Sequence, residues 1–304
     1  MTVSSNIFDE TLLDIYAERV QSTLNEILSY PPQITQKPLF EAMRYSAFSG
    51  GKRVRPFLTY EFCKACTNDS DTKAPDYYAA AIEMIHTFSL IHDDLPAMDD
   101  DVLRRGKPTN HVIFGEATAI LAGDSLITSA LEAVCNNNFC TDTQNLRAAR
   151  LICEKSGAFG MLGGQQIDLQ SEGVQIGRET LNELHTLKTG CLFSCACMLG
   201  CIAANADNSL IAAAEEYGNC LGLAFQIKDD ILDIEGDPKK MGKTLHKDDI
   251  SKKNTYPLLY GSEQSKITLH TLTEKAIAAL DAFSGVKSVK ILTDYANILK
   301  NRDK

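Results

Sequence analysis

Two stretches of aspartate hold the densest chemistry in this 304-residue chain. The first runs Asp93-Asp94, then Leu95-Pro96-Ala97-Met98, then Asp99-Asp100-Asp101. The second is Asp229-Asp230-Ile231-Leu232-Asp233. Asp229 and Asp233 are spaced i, i+4 and share one face of a helix, where bare carboxylates repel unless a cation sits between them. An exposed acidic turn would tolerate that repulsion. The apolar lead-in Gly222-Leu223-Ala224-Phe225-Gln226-Ile227 points instead to a buried helix end, where carboxylates need compensation. In the first stretch, Asp93 and Asp99 would lie about 240° apart on an ideal helix, on different faces. Pro96 removes a helical hydrogen bond, so the expectation is a bulge that returns Asp99 to the side of Asp93. Five aspartates in nine residues suit a hard cation with oxygen ligands. Magnesium is favoured over calcium, because no loop of spaced ligands with a terminal glutamate surrounds them.

Cations stand close by in sequence. Arg104-Arg105-Gly106-Lys107 follows the first stretch directly. In Gly50-Gly51-Lys52-Arg53-Val54-Arg55-Pro56, two glycines free the backbone, three cations follow, and proline sits where a helix would begin. Guanidinium and ammonium groups at a helix start form a ready phosphate site, although plain surfaces use the same pattern. His86 lies two helical turns before Asp93 on nearly the same face. Such a histidine is usually a satisfied core residue, but here it faces a candidate anion site. Lys188-Thr189 interrupts an otherwise apolar segment. Lys239, Lys240, Lys243, Lys247, Lys252 and Lys253 follow the second aspartate stretch; a solvated loop is the ordinary reading, and a subset could close over a bound phosphate.

Positioning these groups falls to helices. Ile7–Leu28, Tyr78–Ile91, Thr118–Val134, Leu181–Ala204 and Leu210–Leu232 each place apolar residues at i, i+3, i+4 and i+7. Alternating β-branched runs are missing, so no sheet is expected. With no biased linker and no repeat, residues 1–304 read as one all-α domain of about ten to twelve helices around a central cavity. Net charge is 30 − 40 = −10, which opposes nucleic acid and anionic lipid; anions would need a concentrated local source of positive charge. Aromatic residues are only 7% with no tryptophan, a poor basis for stacking single-stranded nucleic acid. The N-terminus lacks the basic start and apolar core of a signal peptide. The run 190–207 is marginal for a membrane span and reads as a buried helix. Ten cysteines then imply buried thiol filler in a cytoplasmic protein, since Cys63 and Cys66 find no second pair to complete a zinc site.

These residues together resemble the trans-isoprenyl diphosphate synthases, and among them the bacterial type that makes farnesyl diphosphate. The matching pieces are GGKRVRP (50–56), MIHTFSLIHDDLPAMDDDVLRRGKPTNH (84–111), LAGDSL (121–126), LHTLKTG (184–190), FQIKDDILD (225–233), MGKTLHKDD (241–249) and KKNTYPLL (252–259). They occur in family order and span most of the chain. The resemblance implies the isoprenoid synthase fold, a homodimer, and three Mg²⁺ ions bridging an allylic diphosphate to both aspartate stretches. It makes Asp93, Asp99 and Asp229 the chief metal ligands, with Asp94 and Asp233 supporting. Lys52, Arg55, His86 and Arg105 match positions that hold isopentenyl diphosphate. Arg104, Lys188, Lys243 and Lys253 match those that grip dimethylallyl or geranyl diphosphate, and Thr189 and Gln226 those that line the place where the allylic cation forms. Val102 departs from the acidic run of close relatives, but it lies past the matched ligands.

The implied reaction is head-to-tail prenyl transfer yielding (2E,6E)-farnesyl diphosphate. Phe88, five residues before Asp93 and about 7.5 Å up the helix, would floor the pocket for the growing chain. An aromatic residue at that offset resembles the pattern of fifteen-carbon producers. Geranylgeranyl diphosphate synthesis shares all these motifs and remains the alternative. A terpene cyclase would carry Asn, Ser or Thr and Glu in its second metal motif, where this chain has three aspartates. A non-catalytic metal-binding partner subunit would not need every matched charge. The C-terminal Asn301-Arg302-Asp303-Lys304 is a candidate basic lid.

Overall fold

Small side chains decide the middle of the molecule. In the computed structural model, which describes residues 8, 10–68, 71–235 and 254–302, the cysteine- and alanine-rich segment Cys191–Ala203 forms a helix. Its Cys195, Ala196, Cys197, Leu199 and Cys201 are fully buried. Small residues let neighbouring backbones approach closely. A Cβ on Gly200 would meet Phe62 Cβ at 2.8 Å, and a Cβ on Gly218 would collide with the Ser194 backbone. The Thr59 hydroxyl donates across this contact to the Ala196 carbonyl at 3.0 Å.

In chain order the described residues form α1 (Glu10–Ile27), α2 (Lys37–Ala47), α3 (Val54–Thr67), α4 (Ala74–Asp93), β1 (Leu103–Arg104), β2 (Lys107–Pro108), α5 (Asn110–Phe114) and α6 (Glu116–Cys135). Next come α7 (Asp142–Ser156), α8 (Met161–Ser171), α9 (Arg178–His185), a π-helical turn (Thr186–Gly190) and α10 (Cys191–Ala203). The last elements are α11 (Asn208–Glu235), α12 (Tyr256–Tyr260), α13 (Ser262–Ala279), a short 3₁₀ turn (Leu280–Ala282) and α14 (Val286–Asn301). The fold is all-α. Helix α10 is the inner post, with α3, α4 and α11 packed around it. One large apolar core runs through α1, α3, α4, α6, α10 and α14. A smaller one, built on Leu181, Ala224, Ile227, Ile231, Tyr256 and Leu269, lies under the second aspartate stretch.

Three local expectations change. The expected absence of sheet gives way to one minimal antiparallel ribbon, β1 with β2, whose two-residue strands are too short for any periodic signal. Its turn places Arg105 (φ 53) and Gly106 (φ 74) in the left-handed region, the requirement of a tight hairpin turn. The helix expected over 181–204 is present as one continuous run, Arg178–Ala203, but it widens into a π turn at Thr186–Gly190. Finally, α4 does not continue past a bulge; it stops at Asp93, and Pro96 falls in the turns beyond.

Candidate active site

Helix α4 ends where its chemistry begins. The Asp94 amide still bonds the Leu90 carbonyl at 3.2 Å, but the chain then folds back. The Asp99 amide donates to the Asp93 carbonyl at 2.9 Å, so Asp99 lies beside Asp93 as the spacing predicts. Burial, then repulsion from Asp99 and Asp94, pushes the Asp93 carboxyl up to about 6 against the pull of Lys188 and Arg104. Asp94 is buried, and its Oδ1 receives both Nε and Nη2 of Arg104 at 2.7 Å. The expected supporting metal ligand is therefore engaged by a guanidinium. Burial opposes the charge of Arg104, yet Asp94 outweighs it and raises the arginine's pKa.

Opposite stands a wall of cations. Arg105, carried outward by the ribbon turn, donates to the Gly50 carbonyl and lies over Gly51. A Cβ on Gly51 would sit 2.6 Å from the Arg105 Cζ, and its φ of +118 suits glycine alone. Arg55 occupies the first turn of α3 with its guanidinium 5.1 Å from the Phe193 ring. Burial lowers its pKa to about 10, with Glu83 pulling the other way. Burial and the charges of Arg55 and Arg105 hold His86 well below the usual histidine range, so its imidazole is neutral. Lys52 is exposed at the rim.

The π turn links the two aspartate stretches. π-Helical turns cluster at functional sites because the wider coil re-aims side chains. Here the Lys188 backbone is packed against Gly164 of α8 with no room for a Cβ, and Nζ reaches Asp168. Thr189 Oγ1 donates to Gln226 Oε1 at 3.2 Å, and Gln226 Nε2 donates to Asp230 Oδ1 at 3.3 Å. Lys188 thus acts on Asp93 while its neighbour Thr189 holds α11 one turn before Asp229. Asp230 is buried. It accepts from the Tyr256 amide at 2.9 Å and faces His185 Nε2 at 3.3 Å, tying α9, α11 and α12 together. Asp229 pairs with Arg302, whose guanidinium also stacks 4.3 Å from the Phe225 ring. Burial pushes Asp229 up to about 6 despite Arg302, with Asp233 adding repulsion.

A cavity of about 1690 Å³ is lined by Lys52, Arg53, Arg55, His86, Arg104 and Arg105, with Glu83, Phe225 and Arg302 also on its surface. The donor set fits a hard divalent cation: carboxylate oxygens only, with Asp93 and Asp229 held high by burial and by carboxylate neighbours that a cation would offset. Among the described residues no three acidic, cysteine or histidine side chains converge as a closed cage.

Of the residues singled out in the sequence, Lys52, Arg55, His86, Arg104 and Arg105 meet in the cavity. Lys188, Thr189, Gln226 and Asp229 are joined through the π turn and α11. Asp233 is exposed at the end of α11, and Phe88 is buried edge-on to His92 at 5.7 Å. Lys243, Lys253, Asp303 and Lys304 lie outside the described residues, but Arg302 does reach the pocket. Sequence reasoning passed over Asp168, Gln165 (buried, its Nε2 without a partner), Glu83 and the bridging role of Asp230. A usable signal was present in Gly163-Gly164-Gln165-Gln166-Ile167-Asp168, where paired glycines precede two polar residues one helical turn apart.

The sequence profile of a family described as Polyprenyl synthetase matches residues 36–292. A farnesyl diphosphate synthase of Haemophilus influenzae is 42% identical over 283 residues, covering 91% of this chain and 95% of the relative. A chloroplastic geranylgeranyl pyrophosphate synthase of Arabidopsis thaliana is 40% identical over 301 residues, covering 98% and 85%. Among solved structures, an FPP/GFPP synthase from Zymomonas mobilis superposes with TM-score 0.83 at 34% identity, covering 95% of this chain and 98% of that one. A geranyltransferase from Legionella pneumophila gives 0.82 at 34% identity, covering 96% of each.

Proposed function

The chain belongs to the polyprenyl synthetase family and is a trans-prenyltransferase, and from that premise we propose that it condenses dimethylallyl and geranyl diphosphate with isopentenyl diphosphate to give farnesyl diphosphate. The observation that carries this reading is the cavity lined by Lys52, Arg55, His86, Arg104 and Arg105, with both aspartate stretches tied to its lining: Asp93 lies in the field of Arg104, Asp229 pairs with Arg302, and burial pushes each carboxyl up to about 6.

Each wall has its own task. Lys52, Arg55 and Arg105 hold the isopentenyl diphosphate as fixed positive charge, and neutral His86 donates a hydrogen bond to it. Asp93, Asp99, Asp229 and Asp233 would hold magnesium for the allylic diphosphate. When bound, magnesium supplies Lewis-acid neutralisation of the leaving group and orients it. Lys188 and Arg104 add charge to the same oxygens, and Lys243 and Lys253 belong to this proposal through their sequence motifs. Thr189 and Gln226 turn oxygen dipoles toward the carbon that becomes cationic. The apolar side chains around them keep water out, which would otherwise quench that carbon. Isopentenyl diphosphate then attacks through its double bond, and the departing diphosphate takes the proton.

Two further points belong to the proposal. A homodimer is supported by α6, an apolar helix whose most hydrophobic window is only 39% buried within the chain, with Ile120 and Leu121 exposed. Residence in the cytoplasm is supported by ten cysteines that all stand as free thiols. The fifteen-carbon product rests on Phe88, buried one turn before His92 and packed against its ring.

The test uses purified chain with Mg²⁺, an allylic diphosphate and radiolabelled isopentenyl diphosphate. Acid-labile product, lost on chelation and chromatographing as farnesol after dephosphorylation, is the expected result. Geranylgeraniol from the wild type would assign the longer product. Phe88→Ala should shift the profile toward twenty carbons, and an unchanged fifteen-carbon profile would remove Phe88 from the pocket floor.

A further inference from the structure

Among the residues that line the cavity is an ion pair, Arg53 with Glu83, that no step above uses. Arg53 caps α3 in the left-handed region (φ 48), unusual for a residue with a side chain. Its guanidinium is buried and points inward: Nη1 donates to Glu83 Oε1 and Nη2 to the Ala47 carbonyl at the end of α2. Glu83 is equally buried on α4, one turn before His86. Its charge also supports Arg55 and Arg105. One carboxylate therefore stands behind three arginines. The 50–53 loop is clamped from two sides, by Arg105 on the Gly50 carbonyl and by Arg53 beneath.

We infer that the Arg53–Glu83 pair is a positioning device that assembles the isopentenyl diphosphate wall before the ligand arrives. The inference rests on the assignment of that wall to isopentenyl diphosphate. Arg53 lines the cavity and its Nε has no hydrogen-bond partner, but both its terminal nitrogens already donate within the protein, so its part in the wall is to hold the loop. Its commitment to Glu83 and Ala47 fixes the loop so that Lys52 and Arg55, on either side of it in sequence, both reach the cavity. Glu83 supplies the counter-charge that lets arginines crowd there without a ligand. Like charges in a part-buried cluster would otherwise drive the wall open, and the ligand would have to reassemble it at the expense of affinity. The allylic half of the site hangs from α4's end, the π turn and α11, whereas the Arg53 guanidinium bonds to Glu83, earlier on α4, and to Ala47 of α2.

The readout is therefore selective. Isothermal titration of isopentenyl diphosphate and, separately, of an unreactive allylic diphosphate analogue with Mg²⁺ would compare wild type, Glu83→Gln and Arg53→Lys. Glu83→Gln should weaken isopentenyl diphosphate about tenfold or more and leave the allylic analogue within about twofold. In steady-state assays KM for isopentenyl diphosphate should rise with little change in KM for the allylic substrate. Arg53→Lys keeps the charge but surrenders one of the two bonds, so its loss should be smaller. A purely structural role would instead move both ligands together with the melting temperature. Should Glu83→Gln fold poorly, the double variant Arg53→Met/Glu83→Met removes the unpaired buried charge, restores folding and should still bind isopentenyl diphosphate weakly. Wild-type affinity in that double variant, or equal loss for both ligands in Glu83→Gln, overturns the inference. Failure of the wild type to bind isopentenyl diphosphate at all would overturn the wall assignment as well.

Discussion

The first aspartate stretch sits where α4 stops, and the second where α11 runs on to Glu235. Both bring a carboxylate to a titration point near 6, Asp93 by burial and its own neighbours, Asp229 by burial against an arginine. Their support differs. Around the first, the partner of Asp94 is Arg104, ten residues on, and the turn is closed by Asp99 itself. Around the second, Asp229 is met by Arg302, 73 residues away, while Asp230 is held by His185 and the Tyr256 backbone, 45 and 26 residues away. A locally closed site tolerates tertiary adjustment. A site assembled from distant elements depends on the smaller core beneath it, built on Leu181, Ala224, Ile227 and Tyr256.

That contrast is open to attack. The largest effect is expected from the proposed sharing of one diphosphate by both halves: Asp93→Ala and Asp229→Ala should each lower kcat by about a thousandfold, or about 4 kcal/mol of transition-state stabilisation. A kcat that survives Asp229→Ala would mean that the second stretch does not act on the leaving group. Next, Asp230→Ala strands the buried Tyr256 amide and His185, and should cost about 2–4 kcal/mol of folding stability by urea denaturation. Asp94→Ala, which frees only the half-exposed Arg104, should cost about 1–2 kcal/mol. The reverse order would place the fragile half at α4.

A smaller effect concerns pH. Asp93 titrates at about 6 in the folded chain against 3.8 unexpressed in structure, so the folded state prefers the proton. That preference stabilises fully below the unfolded value and is lost as pH rises through about 6. Metal-free Asp93→Asn should therefore be more stable than wild type at pH 7.5, by about 1 kcal/mol after allowing for solvent, and the gain should vanish near pH 4. Magnesium should erase the gain by stabilising only the wild type. The smallest change is Arg302→Ala, which should cost under about 1 kcal/mol and raise the Asp229 pKa further, followed by carboxyl NMR.

How much of this was legible in the sequence varies by element. Helices α4, α6 and α11 follow their apolar spacing to within a few residues, because periodic burial is a property of the chain itself. The return of Asp99 to Asp93 was legible for the same kind of reason: Pro96 and a six-residue spacing leave few ways to continue. The π turn was not, because its coil is set by Gly164 of α8 pressing on Lys188, and no spacing within 181–204 records that contact. The β ribbon escaped because two residues per strand carry no alternation.

Residue types and their order were enough to read two carboxylate stretches with cations close by on a helical frame, since charge and helical period are written locally. Tertiary packing alone decided which charges are paired within the protein. Asp94 with Arg104, Arg53 with Glu83 and Asp230 with the Tyr256 amide look in sequence like any other ligand or anion binder, and only three-dimensional proximity in a medium of low polarity brings each to its partner.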